Sequence, residues 1–221
     1  FVILSNVEAR RANSSGLLSL IVTFKFPWDI LFAASTKIFI GLVILLFSPK
    51  YNNNDIIGNI SIDGTGIDEA ILQSSDNEYY LSHDNYGNYD KYGSVFLDYR
   101  CNANSKKLLI FGHSSIRVDT PFNNLEKYYD KSYYQEHPYI NITLNNEERK
   151  YLIFSVYIEP KDFTYMNLNI DDETYEQHLI KYKGKSLYAT DVDIYKDDNI
   201  LILQTCSKHP DYQKYENKYL L

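Results

Sequence analysis

The chain has 221 residues, of which 29 are acidic and 22 are lysine or arginine, and its formal net charge is −7. This balance argues against a nucleic-acid binder, because such proteins concentrate lysine and arginine to displace the counterions of the phosphate backbone. Only two cysteines are present, which is too few for the dense disulfide framework of small secreted scaffolds.

The first fifty residues differ in composition from the rest. Residues 30–47 are apolar apart from two hydroxyl residues and Lys37, and they approach the roughly 20 residues that cross a bilayer. Basic residues precede this run and an acidic domain follows it, so the positive-inside rule predicts a cytoplasmic N-terminus. We therefore expect residues 1–49 to be a helical segment with a membrane anchor and residues 50–221 to form an extracellular domain. A packed amphipathic helix and a foreign fusion segment are the alternatives.

The remainder of the chain has the pattern of a mainly β domain. Residues 59–73 alternate apolar and polar side chains around two glycines, which predicts two strands joined by a turn. Four further runs are rich in β-branched and aromatic residues and are bounded by turn residues. These predicted strands are 94–100, 107–113, 151–160 and 199–206.

Two short helices are predicted between these strands. The first covers 121–128, and the second covers 172–183 with Asp171 as its cap and with Leu179 and Ile180 on its apolar side. Several strands with a few short helices are typical of a closed or nearly closed β-barrel.

Two predicted strands end in reactive side chains, His113 and Cys206. A residue at the exit of a buried strand is held rigidly while its tip reaches a cleft. A cysteine beside an imidazole can become a thiolate, which is a strong nucleophile at neutral pH. The alternative for such a cysteine is a small buried hydrophobic residue, and about ninety residues separate the pair, so spacing alone leaves both possibilities open.

The order of motifs in this region resembles the class B sortases. A lone GH or TC pair would carry no weight, whereas five ordered motifs are specific. They are IGNISIDGTGID at 57–68, DNEYYLSHD at 76–84, YGSVFLDYR at 92–100, LLIFGHS at 108–114 and LILQTCS at 201–207.

The resemblance implies a sortase-type β-barrel that acts as a cysteine transpeptidase. Cys206 would form a thioester after the threonine of an NPxTx-like sorting signal, and His113 would serve as general acid and base. Thr205 and Ser114, beside these two residues, are expected to contact the substrate. The partners implied are surface proteins bearing a sorting signal, a peptidoglycan or pilin amine, and the membrane of a Gram-positive cell envelope, without a cofactor.

The chain departs from the family at its third catalytic element. The family has an arginine soon after the cysteine, but here no arginine follows Cys206 and Lys218 occupies that place. Lysine offers a positive charge without the planar fork of arginine, so Lys218 is expected to be a poorer oxyanion donor. Two alternatives follow: a weak or inactive peptide-binding domain, and a plain cysteine peptidase that transfers the acyl group to water.

Other reactive residue types have simpler interpretations. Cys101 is expected to be free and inert, because a bridge to Cys206 would silence the nucleophile. His209 lacks the second Cys/His pair of a structural zinc site, so no metal is predicted. His178 lies in the second predicted helix and is expected to be a solvated surface residue.

Overall fold

The structure is a computed structural model that describes residues 3–6, 52–115, 117–215 and 218–220. The strands in this part of the chain are β1 Ile3–Asn6, β2 Ile56–Ile62, β3 Ile67–Leu72, β4 Phe96–Leu97, β5 Lys107–Phe111, β6 Tyr139–Leu144, β7 Glu147–Ser155, β8 Ile158–Glu159, β9 Ile200–Cys206 and β10 Tyr219–Leu220. The α-helices are α1 Lys131–Glu136 and α2 Asp172–Lys185. Short 3₁₀ helices cover Tyr79–Leu81, Asn123–Tyr129, Thr164–Met166 and Pro210–Tyr212.

These strands form one curled sheet in the order β1-β7-β6-β2-β3-β4-β5-β9-β10-β8, and β1 also pairs with β9. Most neighbours are antiparallel, but β3 with β4 and β5 with β9 run parallel. The fold class is therefore mainly β with short helices, as the sequence predicts. The predicted anchor over 30–47 lies outside the described residues, and within the described part of the chain no helix has the length and apolarity to cross a membrane.

Several predicted elements have different limits in the structure. The hairpin β2–β3 is confirmed, with Ile62 opposite Ile67. The run 94–100 supplies only the two residues of β4, because Asp98 turns the chain by accepting a hydrogen bond from the backbone N–H of Cys101 at 2.9 Å. The run 151–160 is divided between β7 and β8, and the predicted helix 121–128 is a 3₁₀ helix.

Helix α2 covers one face of the sheet, and Asp171 caps it as predicted by accepting from the Thr174 N–H at 2.7 Å. The expected surface position of His178 is wrong, because this histidine is buried on the same face as Leu179. The expected burial of Ile180 is also wrong, since its side chain is 67% exposed. At 3.6 residues per turn, positions 175, 178, 179 and 182 share one face, whereas 180 points away from it.

Lys107 is a charged residue buried in the core beneath α2. Its side chain is almost fully buried in β5. The ammonium donates to the carbonyl of Asn167 at 2.8 Å and contacts the Tyr182 hydroxyl at 2.9 Å. Burial lowers the pKa of Lys107 to about 7, because removal from water disfavours the charged form.

Candidate active site

The register of β5 and β9 brings His113 and Cys206 to the same edge of the sheet. Phe111 pairs with Gln204, and the Gly112 N–H continues the ladder by donating to the Gln204 carbonyl at 3.1 Å. Two residues further along each parallel strand lie His113 and Cys206. Neighbouring strands are about 4.8 Å apart, so this register places two residues that are 93 positions apart in sequence just beyond or at the ends of adjacent strands.

Gly112 allows the chain to turn out of β5 towards this edge. A Cβ atom at Gly112 would lie 2.5 Å from the ring of Phe122, well inside van der Waals contact. The Phe122 N–H in turn donates to the His113 carbonyl at 3.1 Å. The absence of a side chain at 112 therefore lets the 3₁₀ helix that follows pack against the histidine.

The imidazole of His113 is oriented by a backbone carbonyl. Its Nε2 atom lies 3.0 Å from the carbonyl oxygen of Leu81. A carbonyl oxygen only accepts hydrogen bonds, so this geometry assigns a proton to Nε2. Nδ1 is then the ring nitrogen that can accept a hydrogen bond.

The thiol of Cys206 ends β9 and is exposed, whereas Cys101 is buried, and both cysteines are free. Desolvation by the surrounding protein raises the pKa of the Cys206 thiol. Lys208 opposes this shift, Glu126 reinforces it and Lys218 opposes it. The charges around the thiol are therefore mixed, with two ammonium groups and one carboxylate.

Thr205 and Ser114 flank the two reactive residues. Thr205 is buried, and among the described residues its hydroxyl has no hydrogen-bond partner. Ser114 is also buried, and its hydroxyl accepts from the ammonium of Lys208 at 2.8 Å. Its own proton stays available to donate.

Lys218 directly precedes β10, which pairs with the strand that carries the thiol. Tyr219 pairs with Cys206, and the Lys218 carbonyl accepts from the Ser207 N–H at 2.9 Å. The ammonium of Lys218 donates to the Tyr215 carbonyl at 3.0 Å. The cation is therefore near the thiol but bound to its own loop.

Sequence reasoning did not single out Lys208 or Glu126, which are the strongest charged influences on the Cys206 thiol. The only signal for Lys208 in the sequence is a cation two residues after the cysteine. Nothing in the sequence links Glu126 to Lys208, because these two residues are 82 positions apart.

The remaining histidine and metal candidates have structural partners. The ring of His209 packs edge-on against Tyr129, with centroids 4.9 Å apart, and its Nδ1 accepts from the Asp211 N–H at 3.3 Å. Within the described residues, no group of three or more His, Cys, Asp or Glu side chains is arranged to hold a metal ion.

Comparison with known proteins gives one consistent family. Residues 60–221 match the family described as the Sortase domain. Sortase B of Listeria monocytogenes is 36% identical over 166 residues, which are 73% of this chain and 67% of that protein.

Solved structures agree with this comparison. A mutant form of Clostridium perfringens sortase B superposes with a TM-score of 0.73 at 26% identity, covering 85% of this chain and 88% of that one. A sortase B complexed with triglycine superposes with a TM-score of 0.71 at 26% identity, covering 85% and 92% of the two chains.

Proposed function

Because the chain belongs to class B of the sortase family, whose members are cysteine transpeptidases, we propose that it cleaves a sorting signal after a threonine and joins the new end to an amine. Cys206 is the nucleophile and His113 its proton partner. The alignment of these two residues by the β5–β9 register is the observation that carries the proposal.

The acyl and proton transfers are carried by one thiol and one imidazole. The Cys206 thiolate attacks the threonine carbonyl carbon, so that a C–S bond forms, the C–N bond breaks, and His113 gives a proton to the departing amine. An incoming amine then attacks the thioester, gives a proton to His113 and releases the thiolate. One amide is exchanged for another, and no cofactor takes part.

Neighbouring groups support substrate binding at this edge. The buried hydroxyl of Thr205 has no partner among the described residues, and such groups are costly when left unpaired, so a Thr205 side chain that turns towards the cleft would gain a partner in the bound peptide. Ser114 can donate its hydroxyl proton while it accepts from Lys208. Both residues are therefore proposed to contact the sorting signal.

Lys218 is proposed to take the place of the family's arginine and to stabilise the oxyanion. Its ammonium would have to leave the Tyr215 carbonyl to do so. That hydrogen bond favours the second candidate function, a catalytically weak or inactive sortase-like domain that binds peptides.

The partners are proposed from the family. They are surface proteins carrying an NPxTx-like signal and a peptidoglycan or pilin amine, and the sortase B complex with triglycine supports an amine acceptor. The apolar run 30–47 supports a single-pass anchor in the cell membrane, with the catalytic domain outside.

The proposal is tested by incubating the protein with a small set of sorting peptides and analysing it by mass spectrometry. We expect an acyl adduct on Cys206, lost in Cys206→Ala and retained in Cys101→Ala, which removes the other free cysteine. Absence of an adduct with bound peptide would favour the binding domain. Adding triglycine separates transpeptidation from hydrolysis, because only the former yields a triglycine-extended product.

A further inference from the structure

Lys208 connects the two loops that carry the reactive residues. Its ammonium donates to the hydroxyl of Ser114 at 2.8 Å. Ser114 directly follows His113, and Lys208 lies two residues after Cys206. This single hydrogen bond therefore joins positions 94 residues apart, one beside the imidazole and one beside the thiol.

A half-buried carboxylate holds Lys208 in this place. Oε1 of Glu126 accepts from the backbone N–H of Lys208 at 3.0 Å and lies 3.8 Å from its ammonium. The side chains of Lys208 and Glu126 are each about one quarter exposed, at 24% and 23%. Charges at this depth are screened less by solvent than those of a surface ion pair.

The 3₁₀ helix that bears Glu126 is itself tied to both loops. Its neighbour Tyr129 bonds the hydroxyl of Ser207 at 3.0 Å. At the other end, the Phe122 N–H donates to the His113 carbonyl. The Lys208–Glu126 contact is thus one of several hydrogen-bonded contacts by which this 3₁₀ helix joins the end of β9 to the segment that follows β5.

We propose that Lys208 is a positioning residue for the reaction at Cys206, and that its ammonium, held between Ser114 and Glu126, both joins the segment after Cys206 to the segment after His113 and keeps a positive charge near the thiol. This inference rests on the proposed function for its role in catalysis. Lys208 also supplies the leading positive charge near the thiol, and Glu126 is the opposing negative charge. Among the described residues, the titratable groups that interact with the thiol are Lys208, Glu126 and Lys218, with the phenols of Tyr165 and Tyr219.

The two charges should act on the thiol in opposite directions. Removing the Lys208 ammonium removes a cation that stabilises the thiolate, so the pKa of Cys206 should rise. Neutralising Glu126 removes an anion that disfavours the thiolate, so the pKa should fall. A purely structural role would not give opposite signs.

The test is the rate of Cys206 alkylation by iodoacetamide as a function of pH, followed by mass spectrometry on the full chain without substrate. In Lys208→Met we expect the midpoint of the pH–rate curve to move to higher pH, and we expect the alkylation rate at pH 7 to fall roughly three- to tenfold. In Glu126→Gln we expect a lower midpoint and a faster rate at pH 7, while the amide oxygen still accepts from the Lys208 N–H. Lys208→Arg should restore the wild-type profile, and Lys131→Met, at an exposed lysine on α1, should match it.

An unchanged midpoint in Lys208→Met, or shifts of the same sign in Lys208→Met and Glu126→Gln, would overturn the proposal. If Lys208→Met does not fold, the Glu126→Gln variant alone provides the test. An alkylation rate at pH 7 no faster than that of the wild type then counts against the proposal. Because alkylation needs no sorting peptide, opposite shifts without peptide cleavage would uphold the electrostatic role of Lys208 and reject the proposed function instead.

Discussion

The Nε2 atom of His113 lies 3.0 Å from the carbonyl oxygen of Leu81, which ends a 3₁₀ helix 32 residues earlier in the chain. Gly93 packs directly against that carbonyl, and it has a positive φ of 55°. A Cβ atom at position 93 would lie 2.8 Å from the Leu81 oxygen. The orientation of the imidazole therefore depends on a glycine that does not touch it.

The substitution Gly93→Ala should displace this carbonyl. We expect a loss of about 1–3 kcal/mol in the free energy of unfolding and a decrease of roughly 10- to 100-fold in the rate of acyl-enzyme formation, since the base is misplaced. Urea unfolding and rapid-quench mass spectrometry measure the two effects. Gly184→Ala in α2 is the matched control, because a Cβ there meets nothing within 4 Å. Equal rates in the two variants would contradict the prediction.

The buried ammonium of Lys107 should make stability depend on pH. Its pKa is about 7 in the folded protein and about 10.4 in the unfolded chain. Between these values the unfolded chain binds more protons, so the free energy of unfolding should rise with pH by up to about 1.4 kcal/mol per unit. As the pH falls towards 7, the stability gained at higher pH from the neutral Lys107 amine is lost.

Urea titrations of the wild type and Lys107→Met at pH 7, 8 and 9 test this dependence. The difference between the two proteins should grow in favour of the wild type as the pH rises. Lys106→Met removes the neighbouring, more accessible ammonium and should leave the slope unchanged. Parallel curves for wild type and Lys107→Met would show that Lys107 keeps its proton throughout this range.

The two free thiols should react at very different rates. Cys101 is 6% exposed, and burial raises its pKa to about 11, whereas Cys206 is exposed. At pH 8 we expect iodoacetamide to modify Cys206 on the order of 100-fold faster than Cys101. Peptide mass spectrometry measures both sites, and the difference should vanish in concentrated urea. Comparable rates in the native protein would disprove the burial of Cys101.

Lys218→Arg should improve the proposed catalysis. A guanidinium can donate to the Tyr215 carbonyl and to the oxyanion at once through its planar fork, whereas an ammonium is a point charge. By analogy with an oxyanion-hole donor, we expect turnover of a sorting peptide to rise about 10- to 1,000-fold. Lys214→Arg, at an exposed lysine of the same loop, is the control. A rate equal to or below that of the wild type would argue that Lys218 is not in the arginine's role.

Local patterns in the sequence predicted the long strands well. The alternation over 59–73 predicted β2 and β3, and the β-branched runs predicted β5 and β9, because these segments are periodic and bury their apolar side chains. The run 94–100 was less informative, since the chain turns at Asp98, where the buried carboxylate also binds Arg100 at 2.7 Å. A local ion pair of this kind does not alter hydrophobic periodicity.

The candidate site was only partly predictable. His113 and Cys206 could be found because each ends a strongly apolar strand and lies in a motif of the sortase family. Lys208 and Glu126 could not, because their contacts depend on how two distant loops pack. His178 was misjudged for a similar reason: its polar side chain faces the core and lies 3.3 Å from the Tyr182 hydroxyl.

The parallel pairing of β5 with β9 makes the site sensitive to strand slippage. Thr205 is buried and Cys206 is exposed, as expected for successive residues on opposite faces of a sheet. One residue inserted ahead of Ile200 could move every residue of β9 one step along the strand. Thr205 would then take the exposed place of Cys206, and Cys206 would move to the opposite face of the sheet. The sulfur would then point into the interior, and the protein would lose its nucleophile while retaining every amino acid that the reaction requires.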